Sequence, residues 1–121
     1  MLLPAVALRA QTFDAGDRAH RLFYSIGVLQ NCHALTASSV ASLEGAVERL
    51  GLSAATLDAA RQSGLNRADW QWGNRGLGGY RRWCAGEGAL AADWAERLNQ
   101  DPEASAPEMD DGLPLPQVNL K

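Results

Sequence analysis

The sequence holds a single lysine, Lys121, and no block of basic residues. Nucleic-acid binding needs clustered positive charge to neutralise phosphates, and a chain of formal net charge −3 does not offer it. No stretch approaches the roughly 20 apolar residues of a transmembrane helix, so no membrane span is expected. Apolar/polar alternation is missing throughout, which leaves no strand candidate, and there is no internal repeat. Cysteine occurs twice, as Cys32 and Cys84, and neither has a Cys-x-x-Cys partner. That argues against thiol-exchange catalysis and against Cys-x-x-Cys-His haem attachment.

Other site patterns fail on inspection. Gly73-Asn-Arg-Gly-Leu-Gly-Gly79 invites comparison with phosphate-cradling loops, but it matches neither G-x-x-x-x-G-K-[ST] nor G-x-G-x-x-G. No strand precedes it to launch such a loop. Cys32 and His33 diverge as helical neighbours do, and His20 falls on nearly the opposite face, so no metal or other cofactor is expected. Asp69, Glu87, Asp93 and Glu96 match no acid–base template, and the chain does not read as an enzyme.

What is present fits one domain: 121 residues, 46% of them hydrophobic. A chain this short buries only about two-thirds of its unfolded surface, so a covalent staple would help it. Residues 1–10, Met-Leu-Leu-Pro-Ala-Val-Ala-Leu-Arg-Ala, resemble the end of a secretory signal peptide. They form an apolar run with a small residue at a plausible cleavage point, although a positive leading region is lacking. The alternative is a short N-terminal helix or strand packed on the core. Export to an oxidising compartment would join Cys32 to Cys84 in a disulfide, whereas in a cytosolic chain the same pair would be buried thiols. The bridge would close a loop of about 53 residues, worth roughly 4 kcal/mol in the chain-entropy model.

Residues 11–100 carry the helical periodicity and balance nine acids with nine arginines. A loop over 11–16 leads to a helix from about Arg18 to Leu35, capped by Asp14 or Asp17 and carrying Leu22, Ile26, Leu29 and Cys32 on one face. After a break at Thr36–Ser39, Val40, Leu43, Val47 and Leu50 mark a second helix, ended by Gly51. Ser53 caps a third helix, with Leu57 and Ala60 facing inward and Gly64 closing it. Trp70, Gly73, Leu77, Tyr80 and Cys84 recur at steps of 3, 4, 3 and 4. This favours a fourth helix over Asn66–Trp83, weakened or kinked near Gly76–Gly79, with Gly73 admitting a neighbouring helix; the alternative is a loop over residues 73–79, since Gly73, Gly76, Gly78 and Gly79 would each cost a helix interior about 1 kcal/mol. Leu90, Trp94 and Leu98 define a last one. Residues 101–121 change character, with four of the five prolines and five acids. They read as an irregular tail, either flexible or laid along the domain, and polyproline-like at Leu113–Pro116.

The best candidate surface lies in the fourth segment. If Trp70 sits on the buried stripe, Trp72 lies about 200° round the helix and is exposed. Trp72 with Arg75, Arg81 and Arg82 then offers the residue types enriched at binding hot spots.

Two stretches, Phe23-Tyr-Ser-Ile-Gly-Val-Leu-Gln-Asn-Cys32 and Gly79-Tyr-Arg-Arg-Trp-Cys-Ala-Gly-Glu-Gly88, together resemble a group of small exported helical proteins of alphaproteobacteria. Those have one cysteine on an early helix and a second after a Tyr-rich segment. The resemblance spans residues 18–98 as a layout; the Gly-rich insert at 73–79 and the tryptophan content depart from it. It implies a periplasmic, disulfide-bonded helical fold and carries no activity across.

The sequence therefore predicts an all-α bundle of four to five helices, held by one disulfide, with an irregular tail. The expected role is that of a non-enzymatic periplasmic interaction or accessory protein, such as a small subunit of a larger assembly, with another protein as partner. The alternatives are an immunity protein or enzyme inhibitor, and a small helical hydrolase or ligand carrier.

Overall fold

The computed structural model describes the backbone of residues 3–75 and 78–113, with side chains from Ala15 onward. All the regular structure among these residues is helical: α1 (Leu3–Asn31), α2 (Ala37–Arg49), α3 (Ala54–Gly73), α4 (Gly79–Trp83) and α5 (Ala89–Gln100). A π-helical turn over Cys84–Gly88 joins α4 to α5 without a break. Their apolar faces meet in one core, in which Leu22, Tyr24, Val28, Leu29, Leu43 and Trp94 are fully buried.

The longest helix differs from expectation at both ends. No loop interrupts residues 11–16, and α1 runs from Leu3, so neither Asp14 nor Asp17 is a cap. It ends earlier, at Asn31. His33 takes a left-handed φ of 56°, the Ala34 N–H donates to the Leu29 carbonyl and the His33 N–H to that of Gln30. This double bond pattern closes a helix with one left-handed residue. Cys32 sits at the cap itself, with its sulfur turned toward the bundle.

α2 starts as its sequence suggests. The Thr36 hydroxyl accepts from the Ser39 N–H and the Ser39 side chain accepts from the Thr36 N–H, a reciprocal capping box. Leu43, Ala46 and Val47 are buried, and Gly51 (φ 63°) turns the chain out.

The third and fourth predicted helices are divided differently. Gly64 does not close a helix; α3 continues through it to Gly73. Gly64 is instead where α1 and α3 come closest. A Cβ there would lie 2.5 Å from the His20 carbonyl oxygen and 2.8 Å from the Tyr24 nitrogen, and one at Gly27 would lie 2.6 Å from the Ala68 Cβ. The close approach expected at Gly73 belongs to these two positions, since nothing lies within 4 Å of a Cβ built on Gly73. The expected kinked helix over Asn66–Trp83 is two helices: α3 ends, Asn74–Arg75 turn away, and Gly78 (φ 81°) leads into α4. Leu77, assigned to the stripe, lies outside the described residues.

Cys32 and Cys84 are bonded, with Cα atoms 5.7 Å apart. The bridge ties the end of α1 to the first residue of the π turn. Gly88 closes that turn beside it; a Cβ there would meet the Cys32 sulfur at 3.8 Å.

Residues 101–113 are irregular, as expected, and of the two courses open to them they take the one laid along the domain. They run back along the bundle with Ala104 and Met109 buried. Arg18 donates to the carbonyls of Pro102 (3.3 Å) and Ala104 (2.9 Å), Trp94 to Ala104 (3.1 Å) and Arg97 to Ser105 (2.8 Å). Two apolar anchors and a set of arginine and indole donors account for the docking. The polyproline reading falls, from Pro114 on, outside the described residues.

Candidate functional site

Two clusters of chemistry-bearing residues flank the C-terminal half of α3. On one side stands the aromatic and arginine group singled out in the sequence, though with its tryptophans exchanged. Trp70 is 55% exposed and lies under the Arg67 guanidinium, 4.5 Å from ring centroid to charge. Trp72 is the half-buried one, packed against Tyr80 (5.3 Å) and edge-on to buried Trp83 (6.3 Å). The stripe of steps 3, 4, 3 and 4 assumed one continuous helix. Because the chain turns at Asn74, α4 folds back onto Trp72 and leaves Trp70 outside. Tyr80 is 38% exposed, and Trp70 and Tyr80 are the exposed large hydrophobic residues among those described.

The three candidate arginines are not equivalent. Arg75 is committed inside the fold. Its guanidinium donates to the Gln71 carbonyl (2.9 Å) and to the Gln71 side-chain oxygen, sits 3.8 Å from the Asp110 carboxylate and covers the Trp83 ring at 5.4 Å. Arg81 and Arg82 are exposed on α4. Arg82 borders a cleft of about 480 Å³ whose other walls include Asn74, Arg75, Gly78, Gly79 and Trp83.

On the other side lies a polar network that the sequence did not reveal. Glu87, on the π turn, is 7% exposed, and Asp111 is fully buried. One Glu87 carboxylate oxygen accepts from the Tyr24 hydroxyl (2.5 Å) and from the Asp110 N–H (3.0 Å). Burial pushes the Glu87 carboxyl above its ordinary range, and these two hydrogen bonds offset only part of the shift. The Tyr24 phenol is also raised, first by burial and then by its hydrogen bond to Glu87. Asp111 pairs with Arg21 at 2.7 Å, and Gln71 donates to the Asp110 carbonyl at 2.9 Å. The network fastens residues 109–113 to α1, α3 and the π turn. Asp110 and Asp111 stand in the sequence only as members of the acidic tail; the signal that points to their burial is Met109, an apolar residue set among acids just before Asp-Asp-Gly.

His20 belongs to the same seam. Its Nε2 is 2.6 Å from the Asp111 carbonyl oxygen and its Nδ1 is 2.7 Å from the Ser63 hydroxyl. A carbonyl can only accept, so Nε2 carries a proton, which leaves Nδ1 as an acceptor for the Ser63 hydroxyl whenever the ring is neutral. The Ser63 hydroxyl also has the Ala60 carbonyl at 3.2 Å as an alternative acceptor. An apolar groove of about 330 Å³ adjoins the pair, bordered by Thr56, Ala60 and Leu113. Sequence spacing gave no hint of this pairing, because it joins residues 43 positions apart.

Among the described residues, no group of three or more histidine, cysteine or acidic side chains is arranged to hold a metal ion. No helix among them is long and apolar enough to cross a membrane. No protein-family model matches the sequence, and no curated protein or solved structure matches it.

Proposed function

We propose that this protein is an exported, non-enzymatic interaction module, a small accessory subunit that docks a protein partner at the α3–α4 end of its bundle. The observation that carries the reading is the surface there. Tyr80 stays exposed on α4 next to Arg81 and Arg82, for which no ion-pair partner is found among the described residues, and Trp70 stays exposed near the end of α3 under Arg67. Large aromatics and arginines are the side chains on which interface energy concentrates. Leaving two aromatics in water forgoes burial worth about 1.5–3 kcal/mol for a large apolar side chain. The disulfide supports export, as oxidising compartments are where such bonds persist, and so does the apolar stretch ahead of Gln11. The test is capture of cross-linked partners by the tagged full chain from the exported fraction of its own source. The reading expects one partner held by the unmodified protein and lost by Trp70→Ala/Tyr80→Ala. A captured enzyme silenced one-to-one would mark the inhibitor form of the same reading. A chain that stays monomeric and partnerless would contradict it.

A second reading, a small helical hydrolase, has the Ser63–His20 pair behind it. Ser63 Oγ would attack an acyl carbon as His20 Nδ1 takes its proton. The alcohol would leave with that proton, and water would then release the acyl group from Ser63. A fluorophosphonate probe decides it. This reading expects labelling of Ser63 and ester turnover that both vanish in Ser63→Ala, and an unlabelled protein disposes of it.

A further inference from the structure

The polar network between α1, α3 and the π turn closes on four consecutive residues, Met109-Asp-Asp-Gly112, and it does so through side chains. The Asp110 carbonyl accepts from the Gln71 amide at 2.9 Å and from Arg67 Nε at 3.3 Å, and the Asp110 N–H donates to the Glu87 carboxylate at 3.0 Å. The fully buried Asp111 carboxylate accepts from Arg21 at 2.7 Å, and its carbonyl accepts from His20 at 2.6 Å. Met109 is buried, with its sulfur 3.6 Å from the Ser25 hydroxyl. At Gly112 φ is 83°, which favours glycine, and a Cβ there would meet Arg67 Nε at 3.0 Å. Among the described residues, no main-chain hydrogen bond joins residues 106–113 to the helices.

Within a fold, main chain is mostly answered by main chain. Here side chains from three elements take up both main-chain groups of one residue and bury the side chains on either side of it, which is how proteins read an extended ligand. The seam thus asks for an apolar residue, then any residue, since the Asp110 side chain is 61% exposed, then an aspartate and a glycine. Arg67 carries the site to the surface, because the guanidinium that meets Asp110 also lies over exposed Trp70, 4.5 Å from its ring centroid. We infer that this seam is a recognition site for a Met-x-Asp-Gly segment of the protein partner, and that residues 109–112 fill it as an internal occupant which the partner displaces. The inference rests on the interaction reading above, whose surface the seam adjoins, and adds the segment that the partner presents.

The experiment uses the full, disulfide-bonded chain, and the probe is a peptide copying residues 106–113, closed by a fluorophore at one end and an amide at the other. Met109→Ala in the chain loosens the internal occupant and leaves the side chains of the seam in place; Asp111→Asn does so from the other anchor, should Met109→Ala fail to fold. A tethered segment competes at roughly millimolar effective concentration, so fluorescence anisotropy should show saturable binding to the variant, about tenfold or more tighter than to the parent. The same peptide carrying Asp111→Asn should bind about tenfold more weakly, having lost its charged hydrogen bond with Arg21. A photoreactive methionine at the Met109 position of the peptide should cross-link to α1 beside Ser25. No saturable binding, equal affinity for parent and variants, or indifference to Asp111→Asn in the peptide would overturn the inference. Loss of the fold in both variants would make the segment a fixed part of the core, and dimers of the chain that the peptide dissolves would give the seam to a second copy; either result overturns it too. Should a natural partner be captured through Trp70 and Tyr80 while the peptide fails to bind, the seam assignment fails and the interaction reading stands.

Discussion

Burial raises the Glu87 carboxyl above its ordinary value of 4.5, and that gives the residue a definite pH signature. Between that value and the raised folded one, the folded chain keeps a proton that the unfolded chain has released. The unfolded state therefore binds fewer protons, and stability falls as pH rises through the window. Glu87→Gln keeps an oxygen acceptor for Tyr24 and the Asp110 N–H while removing the charge. It should match or exceed the parent by up to about 1 kcal/mol at pH 7 and flatten the profile above pH 4.5. Glu87→Ala strands both donors and should cost about 2–3 kcal/mol. Urea unfolding at pH 5 and pH 7 separates the two; equal losses in both variants would mean that the carboxylate charge itself is needed. None of this was legible in the sequence. Glu87 stood there as one carboxylate among several, and only the π turn, which no local pattern announces, carries it inward to Tyr24.

At the scale of the elements, the α1–α3 contact depends on a missing side chain. Gly64→Ala puts a Cβ into the backbone of α1 at His20 and Tyr24, where no rotamer change can relieve it. The helices must separate, and a loss of about 2–3 kcal/mol follows. Gly73→Ala meets nothing within 4 Å and should be neutral or gain up to about 1 kcal/mol from better helix propensity. Thermal melts of the two variants test which glycine is structural; equal melting points would refute the assignment. Glycine is a poor guide to helix boundaries for this reason, because close packing and chain termination call for the same residue. Gly51, with its positive φ, terminates α2 as read. Gly64, in the same letter, does not terminate α3. The stripes of α2 and α5 were legible because Leu43 and Val47, or Trp94 and Leu98, face one core from an unbroken helix. The Trp70–Cys84 stripe failed because its period was counted across a turn, which exchanged the environments of Trp70 and Trp72.

For the whole molecule, the disulfide reaches further than its loop. Cys84 opens the π turn, Glu87 sits three residues on, and Glu87 holds the Asp110 N–H. Reduction should lower stability by about 4 kcal/mol in the chain-entropy model. It should also speed hydrogen exchange at the Asp110 amide more than at amides of α2, which has no part in this chain of contacts. Uniform acceleration would deny the link. The all-α architecture and the Cys32–Cys84 pairing follow from composition and helical spacing. The docked course of residues 101–113 does not, because it depends on carbonyls that meet Arg18, Trp94 and Arg97 across the fold. The central claim remains that the arginine-bearing α4 surface is made for a protein partner of opposite charge. Its most direct measurement is the affinity of the captured partner for the unmodified chain and for Arg81→Glu/Arg82→Glu, both exposed positions whose reversal leaves the core untouched. A loss of tenfold or more, with melting temperature unchanged, is the predicted result; equal affinity for the two proteins would contradict the account.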